Sequence, residues 1–93
     1  MEPLFINKEE IMGKVHFPQS DVLIRPEDML ERFKRLERAM LLGNAYKGKT
    51  RIIFNTDDGD RVVETTVWAT TERSIQLKGG VSIPVRAIRE VIL

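Results

Sequence analysis

Hydrophobic and polar residues follow two different periods along this chain, and the period changes between Gly43 and Lys49. Before Gly43, apolar residues recur every three to four positions, which is the spacing of one face of an α-helix. After Lys49, apolar and polar residues alternate, as they do in β-strands with one buried face. The pattern predicts an α+β domain, in which an amphipathic helix packs on a small, strongly curved antiparallel sheet or five-stranded barrel.

The predicted helix spans residues 25–43. Pro26 suits its first position, and the two acidic residues that follow suit the positive end of the helix dipole. Gly43, followed by Asn44, is expected to end the helix in a left-handed conformation. One side of the helical wheel is apolar, and we expect that side to face the core; its members are Met29, Phe33, Leu36 and Met40, flanked by Leu30 and Leu41.

Residues 49–93 are predicted to form the sheet. Asp58-Gly59 and Gly79-Gly80 are typical of tight reversals between antiparallel strands. Pro84 has no backbone N–H, so its strand is expected to lie at a sheet edge or to end there. In chain order the predicted elements are strands at 49–55, 61–70, 74–78 and 81–85, a single helical turn at 84–88 and a last strand at 90–93.

Residues 1–24 are the least regular segment and contain short apolar runs such as Leu4-Phe5-Ile6. Asn7, followed three residues later by Glu10, resembles the start of a short helix. An arm with this much apolar material is expected to pack on another surface. We expect it to fold over its own sheet, and the alternative is that it is exchanged with a second copy of the chain.

The composition is that of one ordinary globular domain: 93 residues, of which 42% are hydrophobic and 31% charged, with a net charge of +1. The chain has no cysteine, which excludes disulfides and thiolate chemistry. Its start lacks the features of a signal peptide, and no apolar run has the roughly 18 residues of a membrane helix. We therefore expect a cytoplasmic protein that does not contact a membrane.

A helix followed by short strands, with a one-turn helix before the last, resembles the Sm-like and wider Src-homology-3-like small barrels. The resemblance covers residues 26–93. Asp58-Gly59 stands where Sm proteins have their Asp-Gly turn, and Val85-Arg86-Ala87 falls near the family's Ile-Arg-Gly segment. The resemblance implies a five-stranded barrel behind a helix. It implies no binding residues, because the Asp-x-x-x-Asn uridine signature has no counterpart between Thr70 and Ser74.

The sequence shows no pattern of catalytic or metal-binding residues. The single histidine, His16, has no orienting partner nearby in the sequence. Asp57, Asp58 and Asp60 cluster in a turn, but a calcium loop of the EF-hand type needs glycine at its sixth position, where Val62 stands. We therefore expect a non-catalytic protein without a cofactor, a bound metal or a small-molecule substrate.

Basic and aromatic residues mark the candidate interaction surface. Residues 25–51 hold eight basic residues against four acidic ones, and residues 73–93 hold four against one. We favour contact with another protein or with a second copy of the chain; the alternative is binding of nucleic acid by the basic helix face and the final strands. The candidate residues are Arg32, Lys34, Arg35, Arg38, Leu42, Tyr46, Trp68, Arg86 and Arg89.

Trp68 is the only tryptophan, and it lies in the predicted strand at 61–70. The period-two pattern places it on the same side of that strand as Val62, Glu64 and Thr66. We expect it to complete a hydrophobic cluster against the helix or the arm. The alternative is that it lies exposed and anchors a partner.

Overall fold

The computed structural model of the chain describes residues 3–13 and 15–93, and its elements follow the predicted order of arm, helix and strands. Residues 1, 2 and 14 of the predicted arm lie outside the described residues. The long helix α1 spans Pro26–Tyr46, and two short 3₁₀ helices span Lys8–Ile11 and Val85–Ala87. The strands are β1 (Leu4–Phe5), β2 (Thr50–Thr56), β3 (Gly59–Thr65), β4 (Val67–Thr70), β5 (Ser74–Leu77), β6 (Ser82–Pro84) and β7 (Ile88–Ile92).

The strands form two sheets. The first has the order β1-β3-β2-β7 and is antiparallel except for the pairing of β1 with β3; the second is antiparallel and has the order β4-β5-β6. The predicted α+β class is confirmed, and so is the position of Pro84 on an edge strand. The two sheets do not close into the five-stranded barrel among the residues described here.

The predicted single strand at 61–70 is interrupted at Thr66, and this break separates the two sheets. The Thr66 carbonyl oxygen accepts a hydrogen bond from the Lys78 N–H at 2.9 Å, outside the regular strand ladders. Val67 resumes the extended conformation as the first residue of β4, paired with Leu77 in the second sheet. The alternation of side chains continued through this point, so the sequence pattern did not reveal the break.

The core lies between α1 and the inward faces of both sheets. Its largest fully buried side chains are Phe54, Leu36, Ile52, Ile75, Leu77, Ile83 and Ile88. Burial of one such side chain stabilises the fold by about 1.5–3 kcal/mol. The shape of the molecule thus depends on the packing of α1 on the two sheets. Within the described residues, no helix is long and apolar enough to cross a membrane.

The buried face of α1 differs from the prediction. Its buried residues are Arg32, Leu36, Ala39 and Gly43, whereas Phe33 is 44% exposed. The prediction that Phe33 faces the core is wrong. The helical wheel identified the core side from its large apolar residues, whereas the small residues Ala39 and Gly43 make part of the contact with the sheets. Gly43 also does not end the helix, which continues to Tyr46 and stops at Lys47 in the left-handed conformation (φ 54°).

The arm packs on the sheet of its own chain. Ile11 is buried, and the Phe17 ring lies 6.1 Å from the Phe54 ring, centroid to centroid. The predicted helix start is confirmed: the Asn7 N–H donates to the Glu10 carboxylate at 2.8 Å where the first 3₁₀ helix begins. This short helix brings Lys8 to the side of the molecule where α1 ends.

Candidate anion-binding groove

An open groove of about 410 Å³ lies beside Trp68, at the end of α1. Its lining comes from the first 3₁₀ helix, the α1–β2 link, the β3–β4 junction and the β5–β6 turn. Because these parts are far apart in the sequence, the groove exists only in the folded chain. The lining residues are Lys8, Gly43, Lys47, Lys49, Glu64, Thr65, Thr66, Trp68 and Lys78.

The base of the groove is a close approach between α1 and β4 at Gly43. A Cβ atom here would lie 2.5 Å from the Val67 carbonyl oxygen and 2.8 Å from Thr66 Cγ2. Thr66 is buried, and its carbonyl oxygen accepts the hydrogen bond from the Lys78 N–H. The end of α1, the β3–β4 junction and the β5–β6 turn are therefore held against one another.

Two of the lysines follow the end of α1. The left-handed Lys47 donates its N–H to the Gly43 carbonyl oxygen at 3.0 Å, and the Gly48 N–H donates to the Leu42 carbonyl oxygen at 3.2 Å. The first of these bonds satisfies one of the last four carbonyl groups of the helix, which have no intrahelical partner. Both bonds also turn the chain sharply toward β2, so that Lys47 and Lys49 both border the groove.

The other two lysines come from the arm and from the β5–β6 turn. Lys78 directly precedes Gly79, and a Cβ atom at Gly79 would lie 3.2 Å from Lys8 Cε. The aliphatic part of Lys8 therefore passes over the turn that carries Lys78. This contact brings a residue near the start of the chain next to one in its last quarter.

The groove is strongly positive. Four lysines and one glutamate line it, so these side chains carry a net charge of +3 at neutral pH. Within the described part of the chain, Lys47, Lys49 and Lys78 form no ion pair, and Lys8 has only a loose pair with Glu9 at 3.7 Å.

Glu64 does not neutralise these lysines, because Arg51 already holds its carboxylate. Arg51 Nε donates to Glu64 Oε2 at 2.8 Å. This hydrogen bond, assisted by the charges of Arg51 and Lys49, holds the pKa of Glu64 below its usual range. Glu64 is therefore ionised at neutral pH, with Arg51 as its main partner.

Trp68 forms an aromatic wall of the groove. It is 47% exposed, so the expected burial of its ring in a hydrophobic cluster is wrong, and the alternative of an exposed ring describes its position. Val67, its neighbour in β4, is fully buried, which fixes the strand that carries the ring. An indole face beside several ammonium groups is suited to a flat ligand that also carries negative charge.

Arg32 is buried, whereas the sequence placed it on an exposed basic surface. It is 6% exposed, its guanidinium donates to both carboxylate oxygens of Asp21 at 2.9 and 2.6 Å, and it donates to the Ile88 carbonyl oxygen at 3.0 Å. The prediction was wrong for this residue because a helical wheel treats arginine as polar and cannot show a counter-charge in the irregular arm.

The other predicted basic residues do not join the groove. Lys34, Arg35 and Arg38 line a separate cleft of about 220 Å³ with Glu31 and Leu93. Arg35 donates to Glu31, four residues earlier on α1, and to the Val91 carbonyl oxygen.

Two further arginines are held by polar partners elsewhere. Arg86 Nε donates to the Pro18 carbonyl oxygen at 2.7 Å, and Arg89 Nε donates to Asp60 at 2.8 Å. Leu42 and Tyr46 are exposed on α1, outside the groove lining.

None of the four groove lysines was among the candidate residues, although Lys47, Lys49 and Lys78 lay within the basic segments. The sequence carries no local signal for the groove, because Lys8 and Lys78 are 70 positions apart. Only the placement of the arm against the β5–β6 turn brings them together.

No family model matches the chain, and neither a curated protein nor a solved structure shows significant similarity to it.

Proposed function

We propose that this protein is a non-catalytic binding module and that its lysine groove holds single-stranded nucleic acid. The observation that carries the proposal is the presence of four lysines and a half-exposed Trp68 in one groove. Ammonium groups attract the phosphate backbone, and aromatic rings stack on bases. Base stacking on an aromatic side chain contributes about 1–3 kcal/mol per base.

The exposed Trp68 ring in the groove supports a single strand in preference to a duplex. The volume of the groove, about 410 Å³, lies within the size range of ligand pockets, and the groove is open to solvent on one side. Trp68, Lys49 and Lys78 line the same groove, so we expect a bound nucleotide to place its base against the ring and its phosphate against a lysine. The bases of a duplex are already stacked on each other, so a duplex presents no free base face to the ring.

Binding of a short single-stranded RNA should weaken steeply as salt rises, with a log–log slope of about −0.7 per phosphate contact. Replacing Lys49 and Lys78 together with glutamine should make that slope shallower by about 1.4, twice the value for one contact. Trp68→Ala should weaken binding about 5- to 150-fold, which corresponds to the loss of one stacked base, and should leave the slope unchanged. Fluorescence anisotropy of a labelled oligonucleotide measures all three quantities.

The matched control removes two positive charges away from the groove. Arg38 and Arg73 are exposed and form no ion pair in the described part of the chain. Their joint replacement with glutamine should leave the salt slope unchanged. In the wild-type protein, stacking on the only tryptophan should also quench its fluorescence. Absence of binding at low salt, or an equal effect of the control variant, would contradict the proposal.

A further inference from the structure

The surface of α1 that faces away from the sheets carries large apolar residues. Leu30 is 53% exposed and Leu41 is 64% exposed, and the exposed Phe33 lies next to them. Exposed apolar residues that lie together on one surface are a common mark of a contact with another molecule.

These residues form a stripe along the helix. At about 100° per residue, Leu30 and Leu41 lie about 20° apart; Glu37 lies between them along the helix in the same sector of about 40°, and Phe33 lies about 60° to one side of Leu30. The sector lies roughly opposite Leu36 and Gly43, which are buried against the sheets. Leu30 and Phe33 are three residues apart, and Leu41 returns to the line of Leu30 after three helical turns, so the apolar side chains lie along one side of the helix. The stripe is therefore shaped for contact with another helix.

The charges along the stripe identify a second copy of the same helix as its partner. Consider an antiparallel pair in which both helices cross at the midpoint between Arg35 and Leu36. A residue on one side of this midpoint then faces the residue equally far on its other side in the second copy. Leu30 then faces Leu41 of the other copy, and Lys34 faces Glu37. Neither Lys34 nor Glu37 forms an ion pair within the described part of its own chain. In this arrangement apolar residues face apolar residues and opposite charges face each other.

We propose that two copies of this chain associate through α1 in an antiparallel arrangement. A twofold axis repeats every contact, so each dimer contains two Leu30–Leu41 contacts and two Lys34–Glu37 ion pairs. Met29 and Met40 are half-buried beside the stripe, and their flexible side chains can fill gaps in the contact. The lysine groove lies outside this surface, so the inference goes beyond the binding of nucleic acid.

Charge reversal tests the arrangement directly. Lys34→Glu places glutamates opposite each other in both pairs, and Glu37→Lys does the same with lysines. Each single variant should weaken dimerisation about 10- to 100-fold, since facing like charges are costly at an interface. The double variant Lys34→Glu/Glu37→Lys restores opposite charges and should dimerise within a few-fold of wild type. Analytical ultracentrifugation over a concentration series gives the dissociation constants.

Mixing the two single variants provides the sharpest measurement. Each variant repels its own copies, but in a mixed pair the two glutamates of the Lys34→Glu chain face the two lysines of the Glu37→Lys chain. An equimolar mixture should therefore form a heterodimer. Far-UV circular dichroism should be the same for all variants, because both side chains are exposed. The inference is overturned if wild type is monomeric at about 100 µM, if the single variants dimerise as wild type does, or if the double variant and the mixture stay monomeric.

Discussion

Replacing Asp21 with asparagine should lower the free energy of unfolding by about 3 kcal/mol, because it leaves the Arg32 guanidinium buried without a counter-charge. The two side chains form a bidentate pair, with nitrogen–oxygen distances of 2.9 and 2.6 Å. Arg32 also donates to the Ile88 carbonyl oxygen at the start of β7, so the pair joins the arm, α1 and the first sheet. Breaking one side of a buried pair typically costs about 3–5 kcal/mol.

The stability difference between wild type and Asp21→Asn should become smaller at low pH. The hydrogen bond from Arg32 lowers the pKa of Asp21 in the folded protein below that of an ordinary aspartate. A group whose pKa is lower in the folded state stabilises the fold above its unfolded pKa, and this contribution is lost as the pH falls through the folded value. The difference between wild type and variant should therefore be constant from about pH 5 to 8 and should shrink below about pH 4.

Urea unfolding at several pH values measures this difference. The pKa values of Glu27, Asp60 and Glu64 are also lowered, but these groups are present in both proteins and cancel in the comparison. Glu31→Gln is the matched control, since it breaks the exposed pair with Arg35 and should cost less than about 0.5 kcal/mol. Equal losses in the two variants would show that Asp21 and Arg32 do not act as a buried pair.

The order and type of the main elements were predictable because they depend on local patterns. The change of hydrophobic period separates α1 from the strands, and the glycines at Gly59 and Gly79 adopt the positive φ values that tight reversals require. The buried side of α1 was not predictable in the same way. Arg32 is buried because its partner lies in the arm eleven residues earlier, and no periodic pattern records a contact of that kind.

The groove was even less predictable from the sequence, because contacts between residues far apart in the chain form it. The alternation along the strand placed Trp68 on the side away from Val67, which agrees with the structure, but it did not reveal which residues stand beside the ring. Lys8 and Lys78 line the same groove only because the arm crosses the β5–β6 turn. Of the basic residues that the sequence drew attention to on α1, Lys34, Arg35 and Arg38 lie in a separate cleft, and Arg32 is buried against Asp21.

Gly43 shows most clearly how tertiary contact overrides a local rule. By helix propensity alone, Gly43→Ala should stabilise the protein by about 1 kcal/mol, because glycine is unfavourable inside a helix. The structure predicts the opposite sign, since the added methyl group would lie 2.5 Å from the Val67 carbonyl oxygen. Backbone stands on both sides of this contact, so neither side can adjust by a side-chain rotation. We expect a loss of about 3 kcal/mol, at the upper end of the range for overpacked cores.

Gly48→Ala is the matched control for this substitution, five residues further along the chain. A Cβ atom at Gly48 would lie 3.6 Å from the Leu42 carbonyl oxygen, an ordinary contact, and the φ of Gly48 is not positive. This variant should be neutral or more stable by about 0.4–1 kcal/mol, because alanine has fewer unfolded conformations. Chemical denaturation of both variants measures the change in the free energy of unfolding and shows whether each substitution stabilises or destabilises the protein. If Gly43→Ala proved as stable as Gly48→Ala, α1 would not lie against β4 at this distance, and the base of the lysine groove would have a different shape.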